Sequence, residues 1–297
     1  MNTVIAVLSA GAMGSAISVR LIEHGARVLT LLDGRSTATV KRAAAAGMEV
    51  ASKETIAAAN FILSIVPPGQ AVPLAKRLLK PLSESRHKPV YLDCNALSPR
   101  TKSEIARILA ETGCDIIDGA IIGAPPVPGH KGPRIYVSGD RSETALILRS
   151  LGIDLRQIDG PIGAAAALKM SYAGINKGIL AIGTAMLLAA SRSGASAGLY
   201  QELRENLPQI LSKFEIGIPD MYPKAYRWVA EMREIAAFLG EDKAAATIFE
   251  GAAQLYDRLA VDIANEGNER GILEAFFHSM SSAGTGVQDR ISKELTI

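Results

Sequence analysis

Short apolar runs alternate with amphipathic stretches through the first half of the chain. Segments 4–8, 28–32, 61–66, 90–93, 116–118 and 134–138 are rich in Val, Ile and Leu and stop at Gly, Pro or Asp, which predicts buried strands. Between them, 13–24, 38–46, 72–82, 101–112 and 142–151 carry apolar residues at helical spacing. Strands with two apolar faces, separated by helices, predict a parallel sheet covered on both sides. The pattern changes at Gly160-Pro161-Ile162-Gly163, beyond which no strand signal remains. Helices are expected over 164–191, 197–214, 223–239, 244–265 and 271–280, followed by a polar tail over 281–297. The fold class is therefore an α/β Rossmann-type, parallel-sheet N-terminal domain (1–160) followed by an all-α C-terminal domain (161–297).

The first βα turn reads Ser9-Ala10-Gly11-Ala12-Met13-Gly14, a GxGxxG pattern with Ser9 in the first glycine's place. Such a turn must be tight, must present bare backbone to a diphosphate, and must let helix and strand pack closely. Gly11 and Gly14 meet the last two needs. Helix N-terminal N–H groups around Gly11, Ala12 and Met13 then hold the diphosphate without a basic side chain. After the second strand come Asp33 and Arg35-Ser36: an acid there takes the ribose hydroxyls of NAD, and an arginine with a hydroxyl takes the 2′-phosphate of NADP. Both kinds are present, and Arg35 tips the expectation to NADP over NAD. Val66, Pro67 and Pro68 end the next strand run, where ligands of open α/β sheets bind.

The chain has 297 residues, 48% of them hydrophobic and only 5% aromatic, with a formal charge of +2. That length suits two domains, and the near-balanced charge excludes the basic footprint of a nucleic-acid binder. Cys94 and Cys114 form no metal or redox spacing, so reduced thiols and no metal are expected. The N-terminus lacks a signal-peptide pattern, and the longest uncharged stretch, 178–191, is too short to span a bilayer, which points to the cytoplasm. The Ala- and Gly-rich helices of the second half present more apolar face than a small domain hides, so a homodimer is expected.

These motifs resemble those of the 3-hydroxyacid dehydrogenase superfamily, which includes hydroxyisobutyrate and 6-phosphogluconate dehydrogenases and imine reductases. Gly11-Ala12-Met13-Gly14 is similar to its G-x-M-G turn. Asp93-Cys94-Asn95-Ala96-Leu97-Ser98-Pro99-Arg100-Thr101 resembles its D-x-S-T-x-x-P-x-T segment, with Asn95-Ala96 in place of Ser-Thr. Asp118-Gly119-Ala120-Ile121-Ile122-Gly123-Ala124 resembles D-A-P-V-S-G-G, with Ile122 in place of serine. The stretch from Gly160 to Lys169 resembles the segment opening the family's interdomain helix. The resemblance implies a catalytic Lys169, with Asn95, Ile122 and Gly123 facing substrate and Asn95 also beside the cofactor. The family's asparagine one turn after the lysine is replaced by Tyr172-Ala173, and its second lysine falls near Met232-Arg233. The pocket is thus less polar than the family's, and the substrate does not transfer.

Lys169 lies in an apolar stretch, where burial or a nearby cation brings a lysine pKa toward neutrality. Such an amine serves as general base for alcohol oxidation and general acid for carbonyl reduction. Lys177, eight residues on, is either that cation or a solvated lysine. Tyr172 and Asn176 share a helical face with Lys169; each serves either the substrate or a helix neighbour. The sequence therefore reads as an NAD(P)-dependent oxidoreductase for the CH–OH group of a small hydroxy acid, with decarboxylation to follow where the alcohol is β to a carboxylate. An imine reductase-like NADPH-dependent reductase is the alternative within the enzyme class. A non-catalytic dinucleotide-binding protein is the alternative outside it.

Overall fold

The computed structural model describes residues 3–127, 129–130, 132–265 and 267–278. The backbone divides into two compact units, one ending at Met170 and the next beginning at Ser171. In the first, strands β1 (Val4–Leu8), β2 (Arg27–Thr30), β3 (Glu49–Val50), β4 (Phe61–Ser64), β5 (Val90–Asp93), β6 (Ile116–Ile122), β7 (Arg134–Ser138) and β8 (Asp154–Gln157) form one sheet. Its order is β3-β2-β1-β4-β5-β6-β7-β8. Helices α1 (Ala12–Glu23), α2 (Thr37–Ala45), α3 (Lys53–Ala57), α4 (Pro68–Glu84) and α5 (Pro99–Leu109) connect the strands up to β6.

Alternation along the strands builds two cores. Ile5 and Val7 of β1 join Ile17 and Leu21 of α1 in one cluster. Ala6 and Leu8 join Leu74 and Leu78 of α4 and Ile105 of α5 in the other. Successive strand residues point to opposite faces, so a sheet with helices on both sides needs apolar residues at nearly every position. The expected α/β architecture is the one observed.

The structure departs from expectation at several local points. Strand β7 runs antiparallel to β6, because the described residues of the link between them hold no crossover helix, and a parallel return needs one. Strand β3 and helix α3 are too short to show a period, and β8 carries Asp154 and Arg156 in a sequence that does not look like a strand. Residues Ser142–Leu151 form a 3-10 helix rather than an α-helix; nothing in the structure explains its length. Helix α4 starts at Pro68, four residues earlier than its periodicity suggests, since proline at a first helical position gives up an N–H that has no partner there anyway.

Helix α6 (Ala164–Arg192) begins in the first unit and continues into the second. The second unit also holds α7 (Ser196–Asn206), α8 (Pro208–Met221), α9 (Ala225–Phe238), α10 (Lys243–Ala264) and a helix over 268–278. The single helix expected over 197–214 is divided, because Pro208 lacks an N–H and forces Leu207 out of helical conformation (φ −136°, ψ 49°). Residues 279–280 of the last expected helix, and the tail 281–297, lie outside the described residues. Gly174 and Gly178 of α6 face Phe249, and a Cβ on Gly183 would fall 2.4 Å from the Phe214 ring. By length and composition α6 is apolar enough to cross a bilayer, although its longest uncharged stretch, 178–191, is shorter than a span requires. Its glycine face is filled by those aromatic rings, as in a core helix.

Candidate active site

The β1–α1 turn is built for close approach. Ser9 has φ 152°, the one positive φ outside glycine among the described residues, so serine occupies a conformation that favours glycine. Its Oγ accepts the Gly11 N–H at 3.3 Å, and Arg42 Nε of α2 donates to the Ala10 carbonyl at 2.8 Å. A Cβ on Gly14 would sit 1.9 Å from the Ser9 carbonyl oxygen, so helix and strand touch there as the fingerprint requires. Gly11 caps α1 with no side-chain cap hydrogen bond, and no acidic residue lies in the first turn. Ala12 is exposed and Met13 half-buried. Apart from the Gly11 N–H, which Ser9 Oγ holds, the opening N–H groups of α1 have no side-chain cap, and the turn fits a dinucleotide diphosphate.

Beyond β2, Asp33 is exposed and Arg35 half-buried. Ser36 caps α2, its Oγ accepting the Thr39 N–H at 3.3 Å. At the end of β4, Val66 is buried while Pro67 and Pro68 are exposed. Asn95 fixes this loop: its Oδ1 accepts the Val66 N–H at 2.6 Å, and its Nδ2 donates to Ser64 Oγ and Asp93 Oδ1. Asn95 is 3% exposed and bonded on both ends of its amide, so its side chain binds strand ends together. Ile122 closes β6, and Gly123 follows with φ 125° against Pro133.

Where β5 ends beside the middle of β6 lies an ion cluster that the sequence pattern does not announce. Lys102 of α5 is 2% exposed. Its Nζ stands 3.2 Å from Asp93 Oδ1 and 3.2 Å from Asp118 Oδ1. It also donates to the carbonyls of Asp93 and Gly119. Asp118 Oδ2 accepts the N–H groups of Gly163 and Ala166, each at 3.0 Å, and the Ser138 hydroxyl at 3.3 Å. Ser138 Oγ in turn accepts the Ala165 N–H. A carboxylate thus caps the positive end of α6. The available signal was helical: Lys102, Ile105 and Leu109 form the buried stripe of α5, and a lysine in such a stripe needs carboxylate partners.

Lys169 follows on the first turns of α6 and is half-buried. Burial and the Lys102 cation hold its amine below the usual lysine range, and Cys94 acts weakly the other way. Lys177 is not that cation: it pairs with Glu231 and lies 5.1 Å over the Trp228 ring. In the second unit, Tyr172 is 51% exposed. Asn176 accepts from Lys213 of α8 at 2.8 Å and donates to the Tyr172 carbonyl. Met232 is fully buried in α9, so it adds an apolar position rather than a second amine.

Residues 4–152 match the family described as the NAD binding domain of 6-phosphogluconate dehydrogenase, half of the chain. The chain belongs to the 3-hydroxyacid dehydrogenase superfamily. Residues 190–259 of this superfamily member match a second family, described as a domain of unknown function, DUF1932. An uncharacterized 28.5 kDa protein of Methanothermus fervidus is 28% identical over 68% of this chain and 75% of its own. The 2-(hydroxymethyl)glutarate dehydrogenase of Eubacterium barkeri is 24% identical over 68% of this chain and 67% of its own. A solved protein of unknown function, described as structurally similar to 3-hydroxyacid dehydrogenases, superposes with a TM-score of 0.72 at 25% identity, covering 91% of this chain and 99% of its own. The chain is thus a nicotinamide-dinucleotide oxidoreductase in class, on a Rossmann-type domain followed by a helical one.

Adding a methyl at position 14 tests the turn. Gly14→Ala pushes a carbon into the Ser9 carbonyl, an overlap of the kind that costs about 1–3 kcal/mol. Fluorescence titration with NADPH should show affinity falling by about tenfold or more, since about 1.4 kcal/mol is tenfold. Unchanged affinity would remove the diphosphate from this turn.

Proposed function

We propose that the protein is an NAD(P)-dependent dehydrogenase acting on the CH–OH group of a small hydroxy acid, with Lys169 as the acid–base group. The observation that carries this reading is an amine with a depressed pKa, on the opening turns of a helix capped by Asp118, in the same unit as a dinucleotide-type turn. When bound, the dinucleotide supplies the hydride acceptor. In oxidation, the neutral Lys169 amine takes the hydroxyl proton as the carbinol C–H bond breaks; in reduction, its ammonium returns that proton to the carbonyl oxygen. Presence of the lysine favours an alcohol over an imine. We assign Gly11, Ala12, Met13 and Gly14 to the diphosphate and Val66-Pro67-Pro68 to the nicotinamide side. Asn95 contributes through the loop it holds, Ile122 and Gly123 flank the substrate, and Tyr172 and Asn176 line the same helix.

NADP is the proposed cofactor form. Arg35 precedes an α2 start with no acidic residue in its first turn, an arrangement that suits a 2′-phosphate. A homodimer is proposed from the second unit, where Ile175, Ile182 and Met186 of α6 and Ile216 of α8 are each more than half exposed. The proposed compartment is the cytoplasm.

Lys169→Met should lower turnover by about 10²–10⁴-fold while dinucleotide titration is unchanged; a variant that keeps full turnover would remove Lys169 as the acid–base group. Oxidation should speed up as pH rises through the Lys169 pKa, with a midpoint below 10.5, and reduction should slow over the same range. The same variant should be more stable than the parent at neutral pH. With the folded pKa below the unfolded one, the unfolded chain holds the extra proton between them, so stability rises with pH there and the penalty is full below the folded value. Thermal melts across that range check the sign.

For the cofactor, Arg35→Ala should weaken NADPH binding by about tenfold and leave NADH binding nearly as it was, read by parallel titrations. For assembly, light scattering at micromolar concentration should give a dimer, and Ile182→Asp a monomer; a monomeric parent protein contradicts the dimer.

A further inference from the structure

We propose that Lys102 is a positioning residue for Lys169: held between Asp93 and Asp118, it locks Asp118 onto the first turn of α6 and sets where the Lys169 amine stands. This inference rests on the reading of Lys169 as the acid–base group. The route starts with an ion pair and continues in hydrogen bonds. Lys102 fixes Asp118 Oδ1; Asp118 Oδ2 takes the N–H groups of Gly163 and Ala166; Ser138 ties Asp118 to Ala165. Gly163 has φ 103°, and a Cβ there would meet Pro99 at the start of α5, so the helix that carries Lys102 also bounds the entry to α6. Lys169 lies three residues after Ala166, less than one helical turn away. A turn with three N–H donors held by two buried side chains has little freedom to displace Lys169.

Lys102 also acts by its charge. The groups facing Lys169 are the Lys102 cation from α5 and the Cys94 thiol after β5. The carboxylates of Asp93 and Asp118 sit on Lys102 itself. The cation opposes protonation of Lys169 and adds to the effect of burial.

The test needs a variant that folds, since removing Lys102 alone leaves two buried carboxylates facing each other. Lys102→Met combined with Asp93→Asn leaves Asp118 as the single carboxylate, still held by Gly163, Ala166 and Ser138, and an asparagine oxygen still accepts from Asn95. Lys169 is read directly, by the pH dependence of its acetylation with acetic anhydride followed by peptide mass spectrometry. The expected result is an upward move of the Lys169 midpoint, with NADPH affinity within about twofold of the parent, well under the tenfold that 1.4 kcal/mol represents. A folded double variant with the parent midpoint overturns the electrostatic half. Ser138→Ala keeps every charge and loosens only the turn; it should lower kcat by about tenfold to a hundredfold with KM nearly constant and the acetylation midpoint unmoved. Unchanged kcat overturns the positional half. The acetylation profile needs no turnover, so it decides the electrostatic half even if Lys169→Met remains active and the acid–base reading of Lys169 fails.

Discussion

One ammonium group, buried where three elements meet, organises the candidate site. Lys102 holds α5 against β5 and β6 by standing between two carboxylates that would repel each other in so dry a space. Desolvating three charges is expensive, and such clusters persist only when geometry and extra hydrogen bonds are good. Here the ammonium reaches two carboxylates and two carbonyls, and Asp118 has three further donors. An apolar packing of equal volume would be no less stable, but it would offer no acceptor for the opening N–H groups of α6. The cluster therefore exchanges stability for direction, fixing where a long helix starts.

The dinucleotide turn rests on a different constraint, contact distance. Gly14 is required because the Ser9 carbonyl occupies the place of its missing side chain. Ser9 itself tolerates an unfavourable φ, with its hydroxyl on the Gly11 N–H and its neighbour's carbonyl held by Arg42. A strained serine held by two local bonds does the work that a glycine does unaided.

Much of this was legible in the sequence because it is local. Strands β1, β5 and β7 have the bounds that their apolar runs indicate, and the turn before α1 announces itself by Gly11 and Gly14. Reading failed where the signal was short or three-dimensional. Two residues, Glu49-Val50, cannot display a period, and Pro208 divides a stretch that is otherwise uniformly helical. The Lys102 cluster joins residues 93, 102, 118, 138 and 163, whose pairing exists only once the sheet is assembled. Asn95 looked like a ligand-facing residue from its place after a strand, and no local feature reveals that its amide is spent on Ser64, Val66 and Asp93.

The cap on α6 has a consequence for the order in which the chain acquires structure. Its acceptors, Asp118 and Ser138, lie on β6 and β7, more than twenty residues upstream of the N–H groups they receive. Helix nucleation is the costly step, and a pre-placed carboxylate lowers it only after those two strands have paired. The start of the longest helix thus has to wait for the far half of the sheet, an arrangement suited to synthesis from the N-terminus, where strands leave the ribosome before the segment they cap.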